Sequence, residues 1–494
     1  MEGKDKQLTK NAIYLYLRMG IGTVLSLYTS RLVLQQLGID GFGVYTVVGS
    51  VVVSLGFLSN TLSGAMARFF AYELGRDNEA KVKQLFNAAM RIELIIGLAL
   101  LLILLTAGEW FVGYKLNLPS IDRWPARVVL YTTAISFFIT ILLVPYKSAI
   151  TAREKFGVYA INELAVVILK LVAVICLSLF TANKLIIYSI FMAVIISGGA
   201  IGYAVYGRWR LPECVLSRHI DYRECKPLLT YAGIDLFGHF CGVISPQSVQ
   251  WIGNIFFGVA VNAAIGITAQ VSGAVASFVT SITQAFTPQI IKEYSSGNFR
   301  RMQNLASNCS VGVILLLGML TVPLVSNIHF ILNLWLSDVP PDAYTFCYIA
   351  LIAAIPVSLT AVANSIVHAS GKIKLLSVVN GTLYLLIPLV SYLLLRRGFS
   401  ANIIYIVTFA AYLCQWLNSL FQGSRNISEF SGLRVLGACV LPSVVVVLTL
   451  TLCIWVNSFM GNNWIRVITD IAISVPSCGL YACYLYRKLK HQAG

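Results

Sequence analysis

Fourteen apolar stretches, each long enough to cross a lipid bilayer, follow one another along the chain with only short loops between them. A helix needs about 20 mainly apolar residues to span the hydrocarbon core. Charged residues make up 11% of the 494 residues, whereas soluble domains carry roughly 25%. The predicted spans are 12–37, 43–67, 85–113, 127–146, 158–182, 185–206, 227–256, 262–288, 304–332, 344–369, 375–395, 401–421, 434–458 and 463–486. The sequence therefore predicts an all-α integral membrane protein with about 14 transmembrane helices.

Basic residues alternate between the two sides of this predicted topology. Of the 36 Lys and Arg residues, 25 fall in loops on the side of the N terminus, 7 on the opposite side and 4 inside spans. Because cytoplasmic loops are enriched in Lys and Arg, both termini are predicted to be cytoplasmic. The same bias accounts for the net charge of +16, so the charge does not indicate a nucleic-acid partner.

A weak internal repeat divides the chain. A shift of 220 residues superposes Gly38 on Gly258 and Asn78 on Asn298. An even number of spans separates the copies, so both run in the same direction through the membrane. We expect two parallel-repeat six-helix bundles around a central cavity, followed by two C-terminal helices. The predicted regions are an N-terminal bundle (1–210), a basic cytoplasmic linker (211–226), a C-terminal bundle (227–425), and helices 13 and 14 with a cytoplasmic tail (426–494).

Enzymatic function is not expected. The longest loop is the linker of about 20 residues, which leaves no room for an aqueous catalytic domain. The chain has no GxxxxGK[ST] phosphate-binding loop. Its 11 Cys residues include no CxxC pair and are typical of buried free thiols. We therefore expect no cofactor and no bound metal.

Ionisable side chains inside the spans are functional candidates, because an unpaired charge there costs at least about 2.5–3.5 kcal/mol. Those at depth are Arg18, Arg31, Arg91, Glu93, Glu163, Lys170, Asp235 and Asp470. Arg18 shares a helix face with Ser26 and Thr29. We predict that it brings positive charge to a cavity that accepts a phosphate, which guanidinium binds bidentately. The alternative is that Arg18 snorkels to lipid headgroups.

The other predicted substrate-binding residues are Arg31, Asn60, Arg91 and Lys170. Each also has a structural interpretation. Arg31 could snorkel, and Asn60 could form an interhelical hydrogen bond. Arg91 could pack beside Glu93, and Lys170 could form an internal ion pair with Glu163.

A proton-coupling pair is predicted on the seventh span. Asp235 and His239 stand four residues apart and so share a helix face. Histidine, with an unperturbed pKa of about 6.5, is suited to proton exchange. The alternative is a hydrogen-bonded pair that fixes the helix near a bend at Pro246.

Three features follow the first span, namely Gly38-Ile39-Asp40-Gly41-Phe42-Gly43-Val44-Tyr45, Asn60 and Glu73-Leu74-Gly75-Arg76-Asp77. They resemble the start of the O-antigen and capsule flippases of the Wzx type, within the multidrug, oligosaccharidyl-lipid and polysaccharide exporter superfamily. The resemblance implies alternating-access translocation of an undecaprenyl-diphosphate-linked oligosaccharide across the bacterial cytoplasmic membrane, with proton antiport as a candidate energy source. The implied partners are this lipid-linked oligosaccharide, membrane lipid, a polysaccharide polymerase and glycosyltransferases.

Two other functions of the same superfamily stay open. A peptidoglycan lipid-precursor flippase also has 14 spans and basic cavity residues. A cation-coupled drug exporter typically has 12 spans and an acidic residue in its first helix. The first span here has Arg18 and Arg31 but no acidic residue, which favours an anionic cargo.

Overall fold

The computed structural model describes residues 2–74, 78–118, 123–153, 155–216, 236–336 and 338–493. It leaves undescribed the side chains of the first 19 residues, of those beyond 481, and of some positions within 57–71, 236–239 and 281–295. The described helices are α1 (Glu2–Ser54), α2 (Phe57–Leu74), α3 (Glu79–Ile103), α4 (Arg123–Leu142), α5 (Val144–Ala152), α6 (Phe156–Cys176), α7 (Lys184–Arg210), α8 (Leu236–Phe257), α9 (Val259–Ser295), α10 (Phe299–Ser326), α11 (Ile328–Trp335), α12 (Ala343–Ser370), α13 (Lys374–Arg396), α14 (Ile403–Asn426), α15 (Gly432–Asn457) and α16 (Asn463–Ala493). Two π-helical turns, Leu104–Gly108 and Phe111–Lys115, follow α3, and a 3-10 turn, Leu177–Leu179, follows α6.

The predicted all-α membrane fold is confirmed. Within the described residues, 11 helical segments are long and apolar enough to cross a membrane, so the chain is a multi-pass membrane protein. One of these segments, Gly20–Ser54, contains parts of the first two predicted spans. They are separated by Gly38, whose φ of 70° and ψ of 176° interrupt α1.

Three predicted spans are each built from two helical pieces. A bend at Leu55 and Gly56 separates α1 from α2 inside the predicted span 43–67. Leu143 separates α4 from α5, and Pro145 lies in the first turn of α5, where its missing N–H is not needed. Asn327 separates α10 from α11. Hydropathy does not reveal such breaks, because the residues on both sides are apolar.

The internal repeat appears in the local backbone geometry. Gly38 and Gly258, which a shift of 220 superposes, both have positive φ, at 70° and 81°. Asn78 and Asn298 cap α3 and α10 in the same way. The side chain of Asn78 accepts a hydrogen bond from the backbone N–H of Lys81, and that of Asn298 accepts one from Arg301. A pair of distant segments with the same capping and the same glycine conformation supports the duplication.

The N-terminal unit comprises Met1–Ala263. In this unit α1 packs along α6, α4 along α7 and α2 along α5. The helix α8 packs against α1, and the indole N–H of Trp251 on α8 donates to the hydroxyl of Ser50 on α1 at 2.9 Å. The predicted boundary at residue 210 stays a prediction, but α8, assigned from sequence to the second bundle, packs inside this unit.

A buried amide cluster holds the turn between α8 and the start of α9. Asn254 accepts a hydrogen bond from the backbone N–H of Asn117 at 2.8 Å and donates to Asn262 Oδ1 at 2.8 Å. Asn262 in turn donates to Gln250 Oε1 at 2.8 Å. Because buried amides are costly unless they are paired, these contacts define the turn that contains Gly258.

The C-terminal unit comprises Ala264–Gly494. Here α12 packs along α14, α14 along α13, and α10 along both α15 and α16. Buried amides also link these helices, because Asn418 on α14 donates to Asn380 Oδ1 on α13 at 2.9 Å. Ser419, also on α14, donates to Asn364 Oδ1 on α12 at 2.8 Å.

Candidate functional site

Three of the predicted substrate-binding side chains lie within the described residues, all in the N-terminal unit. Arg31 on α1 and Lys170 on α6 are half-buried, and Arg91 on α3 is exposed. Because α1 packs along α6, two of the three cations are carried by neighbouring helices. Fixed cations on spanning helices create a positive potential that attracts an anionic group.

Four predicted site residues cannot be placed by their side chains. Asp235 lies outside the described residues altogether. The backbones of Arg18, Asn60 and His239 lie on α1, α2 and α8, while their side chains are outside the described part of the chain. Their roles in substrate binding and proton coupling stay predictions.

A charged and aromatic cluster joins α5, α6 and α7. Lys147 Nζ lies 3.4 Å from Glu163 Oε1. The same carboxylate oxygen accepts a hydrogen bond from the hydroxyl of Tyr203 at 2.8 Å. The ammonium of Lys147 also lies 5.2 Å from the ring centroid of Tyr159 and 5.8 Å from that of Tyr203, within the range of cation–π attraction.

This cluster changes the interpretation of Glu163. The alternative drawn from sequence paired Glu163 with Lys170, whereas the structure gives its ion pair to Lys147. Lys170 lies seven residues after Glu163 on the same face of α6 and still interacts with it electrostatically. The Glu163 carboxylate is therefore paired with Lys147 and interacts electrostatically with Lys170.

Glu93, two residues after Arg91 on α3, faces the protein interior. Glu93 is completely buried and accepts a hydrogen bond at Oε1 from the hydroxyl of Ser59 at 3.2 Å. Its other oxygen has no hydrogen-bond partner among the described residues. Arg91 is exposed, so residues 91 and 93 occupy opposite sides of α3, as a separation of two residues requires.

A second ion-pair cluster lies at the ends of α5 and α7. Arg153 donates from Nε to Glu213 Oε1 at 2.6 Å and from Nη2 to Oε2 at 2.9 Å. It also donates to Glu79 at 2.8 Å. The hydrogen bond with buried Glu213 is the main reason that the pKa of Arg153 is raised. This bidentate pair fixes the residues that follow α7 to the end of α5.

The cluster around Glu163 combines charged and aromatic side chains from three helices. Within the described residues there is no group of three His, Cys, Asp or Glu side chains able to hold a metal ion. Sequence reasoning missed Lys147 because it counted this residue as a loop cation. The sequence does contain an indication of the groups that Lys147 contacts. Tyr159 and Glu163 stand four residues apart and therefore share one face of α6.

Comparisons with known proteins give a family match to part of the chain and a fold shared with solved structures. Residues 244–393 match the sequence profile of the MatE family. The uncharacterized membrane protein EpsK of Bacillus subtilis (strain 168) is 19% identical over 292 residues, which cover 58% of this chain and 57% of that protein. The match thus covers less than two thirds of the length of EpsK.

Three solved structures are similar over most of the chain. The lipid II flippase MurJ in an inward closed conformation has a TM-score of 0.66 and 13% identity, and the match covers 97% of this chain and 99% of the MurJ chain. A mutant of the Vibrio cholerae MATE transporter VcmN has a TM-score of 0.61 and 16% identity, and the match covers 86% of this chain and 98% of the VcmN chain. The eukaryotic MATE transporter AtDTX14 has a TM-score of 0.59 and 13% identity, and the match covers 87% of this chain and 100% of the AtDTX14 chain. The chain shares the fold of these proteins.

Proposed function

We propose that the chain is a flippase that moves an undecaprenyl-diphosphate-linked oligosaccharide from the cytoplasmic to the outer leaflet of the bacterial cytoplasmic membrane. The observation that carries this proposal is the similarity to the lipid II flippase MurJ over 97% of the chain. The similarity to the MATE transporter VcmN covers a smaller share of the chain, 86%. A fold shared along nearly the whole chain favours a lipid-linked cargo over a small drug.

The charges of the N-terminal unit support an anionic cargo. Arg31 and Lys170 lie half-buried on two helices that pack together. Lys147 pairs with Glu163, and Lys170 interacts electrostatically with the same carboxylate. A diphosphate carries negative charge that such cations compensate, whereas a cationic drug would meet repulsion. Arg18 belongs to the same proposed site.

Translocation in proteoliposomes tests the proposal. We expect the wild type to move a fluorescent polyprenyl-diphosphate oligosaccharide between leaflets, and Lys170→Met and Arg18→Ala to slow this movement at least about tenfold, as expected for the loss of one charge-assisted contact. Lys115→Met and Arg123→Ala are the matched controls, because both positions are exposed. Control variants as slow as the site variants would contradict the proposed binding role.

The two alternatives give different results in the same assay. The MurJ fold supports a peptidoglycan-precursor flippase, which would move lipid II and not other glycans. The MatE match over 244–393 supports a drug exporter, which would move a cationic dye and no polyprenyl lipid.

Energy coupling forms a separate part of the proposal. Asp235 and His239 are proposed to exchange protons during the cycle, in keeping with their spacing on one helix face. An imposed proton gradient should accelerate the wild type and leave Asp235→Ala and His239→Ala unaffected. If both variants respond to the gradient as the wild type does, this pair does not couple protons.

A further inference from the structure

A further buried acid, Asp470, lies in the C-terminal unit, where α16 meets the break between α10 and α11. Asp470 on α16 is 0% exposed. Its Oδ2 accepts three hydrogen bonds, from Ser326 Oγ at 2.7 Å, Asn327 Nδ2 at 2.6 Å and Asn457 Nδ2 at 2.8 Å. These donors come from the end of α10, from the residue that separates α10 from α11, and from the end of α15. One carboxylate thus links four helices.

Three oxygens in this cluster have no hydrogen-bond partner among the described residues, namely Asp470 Oδ1, Asn457 Oδ1 and Ser474 Oγ. Ser474 is 0% exposed and Asn457 is 7% exposed. Ser474 lies four residues after Asp470, on the same face of α16. The amide nitrogen of Asn457 binds the same carboxylate, so its oxygen belongs to the same cluster. An unsatisfied buried polar atom costs about 1–3 kcal/mol and calls for a specific explanation, such as a bound ion.

The charge of the cluster indicates what kind of group would satisfy these oxygens. The three donors to Asp470 Oδ2 are neutral groups. Arg466, one turn earlier on α16, donates from Nε to the backbone carbonyl of Met460 at 2.8 Å. The thiol of Cys453 on α15 also hydrogen-bonds to the carboxylate. A buried carboxylate without a compensating charge is strongly destabilising, and one monovalent cation would neutralise it.

We propose that Asp470 Oδ1, Asn457 Oδ1 and Ser474 Oγ bind a monovalent alkali-metal cation, Na⁺ or K⁺. Carboxylate, amide and hydroxyl oxygens are the ligands that hard cations prefer. Broken helices that supply polar groups at membrane depth are typical of ion sites in transporters. The bound cation holds α15 and α16 against the α10–α11 break. This binding is independent of which substrate the chain transports.

Thermal unfolding of the purified full-length chain in detergent tests the cation site. Unfolding is followed by tryptophan fluorescence in NaCl, KCl and choline chloride at one ionic strength. A ligand that binds only the folded state raises the unfolding temperature in a saturable, concentration-dependent way. We expect this rise in wild type with Na⁺ or K⁺ but not with choline. Radioactive sodium should bind at one ion per chain. If K⁺ alone produces the rise, a radioactive K⁺ analogue replaces sodium in the binding measurement.

Variants locate the binding to this cluster. Asp470→Asn should abolish the cation effect, and Ser474→Ala should weaken the apparent affinity roughly tenfold or more, by analogy with the loss of a group that supports a metal site. Ser391→Ala is the matched control, because Ser391 is also a fully buried serine in the C-terminal unit whose hydroxyl has no hydrogen-bond partner in the part of the chain that the structure describes. It should keep the wild-type response.

Two results would overturn the proposal. The first is a wild-type unfolding temperature that is the same in all three salts, as expected if a proton and not a cation satisfied the cluster. The second is a cation response that persists unchanged in a folded Asp470→Asn variant. The wild-type comparison decides the question even where a variant fails to fold.

Discussion

Replacing Gly43 by alanine tests why a glycine stands at this position of the 38–45 segment. A Cβ at Gly43 would overlap the backbone carbonyl oxygen of Val259 and would lie 2.8 Å from the carbonyl carbon. Carbon atoms in good contact are about 3.5–4.0 Å apart, so the carbonyl carbon alone would require α1 and the start of α9 to separate by at least about 0.7–1.2 Å, and the nearer carbonyl oxygen requires more. Backbone atoms cannot rotate away as a flexible side chain can.

The expected cost follows from this overlap. Overpacking costs about 1–3 kcal/mol, and occasionally more. Gly49→Ala is the control, because it lies on the same helix and a Cβ there has no atom within 4 Å. Both variants share the gain of about 1 kcal/mol from replacing glycine in a helix, so their difference isolates the steric cost. At about 2–4 °C per kcal/mol, Gly43→Ala should unfold roughly 2–12 °C below Gly49→Ala.

Thermal unfolding in detergent, followed by tryptophan fluorescence, measures this difference. Equal unfolding temperatures for the two variants would refute the close approach of α1 to Val259. A further change to a larger side chain at Gly43 should lower the temperature again, because the overlap grows with side-chain volume.

Other substitutions probe the remaining features. Glu213→Gln removes a buried, bidentate carboxylate and should cost roughly 1.5–3 kcal/mol of unfolding free energy, whereas Glu79→Gln, at an exposed pair, should cost at most about 1 kcal/mol. Gly258→Ala should lower the unfolding temperature, because positive φ costs an L-residue about 1–2 kcal/mol, while Gly273→Ala should not. Glu163→Gln leaves two lysines without a carboxylate, so the apparent KM for the diphosphate lipid should fall; an unchanged KM would contradict the proposed site.

Hydropathy and the repeat predicted the fold well, because both depend on features that recur along the chain. Within the described residues, each predicted span coincides with a helix or with consecutive helical pieces. The repeat, derived from a few matching residues, pairs two glycines that both adopt positive φ in the structure and two asparagines that both cap helices. Local geometry of this kind is encoded by single residue types, glycine for positive φ and asparagine for capping.

The site was less predictable, because it depends on which helices meet. Glu163 has one lysine 16 residues before it and another seven residues after it, and helical spacing favours the second. The ion pair goes to Lys147 because α5 and α6 pack together. Likewise nothing in the sequence separates Asp470 from the seven other ionisable groups at depth. Its partners Asn327 and Asn457 lie outside α16, 143 and 13 residues away in the chain, and meet it only in the folded unit.

The packing of α8 inside the N-terminal unit has a consequence for biogenesis. Chains fold from the N terminus as they are synthesised. Ser50 and Gly43 obtain their partners, Trp251 and Val259, only once the start of α9 has been translated. A fragment of residues 1–263 contains Trp251 and Val259, whereas a fragment that ends at residue 210 lacks both. The ribosome must therefore pass the first turn of α9 before α1 can complete these contacts.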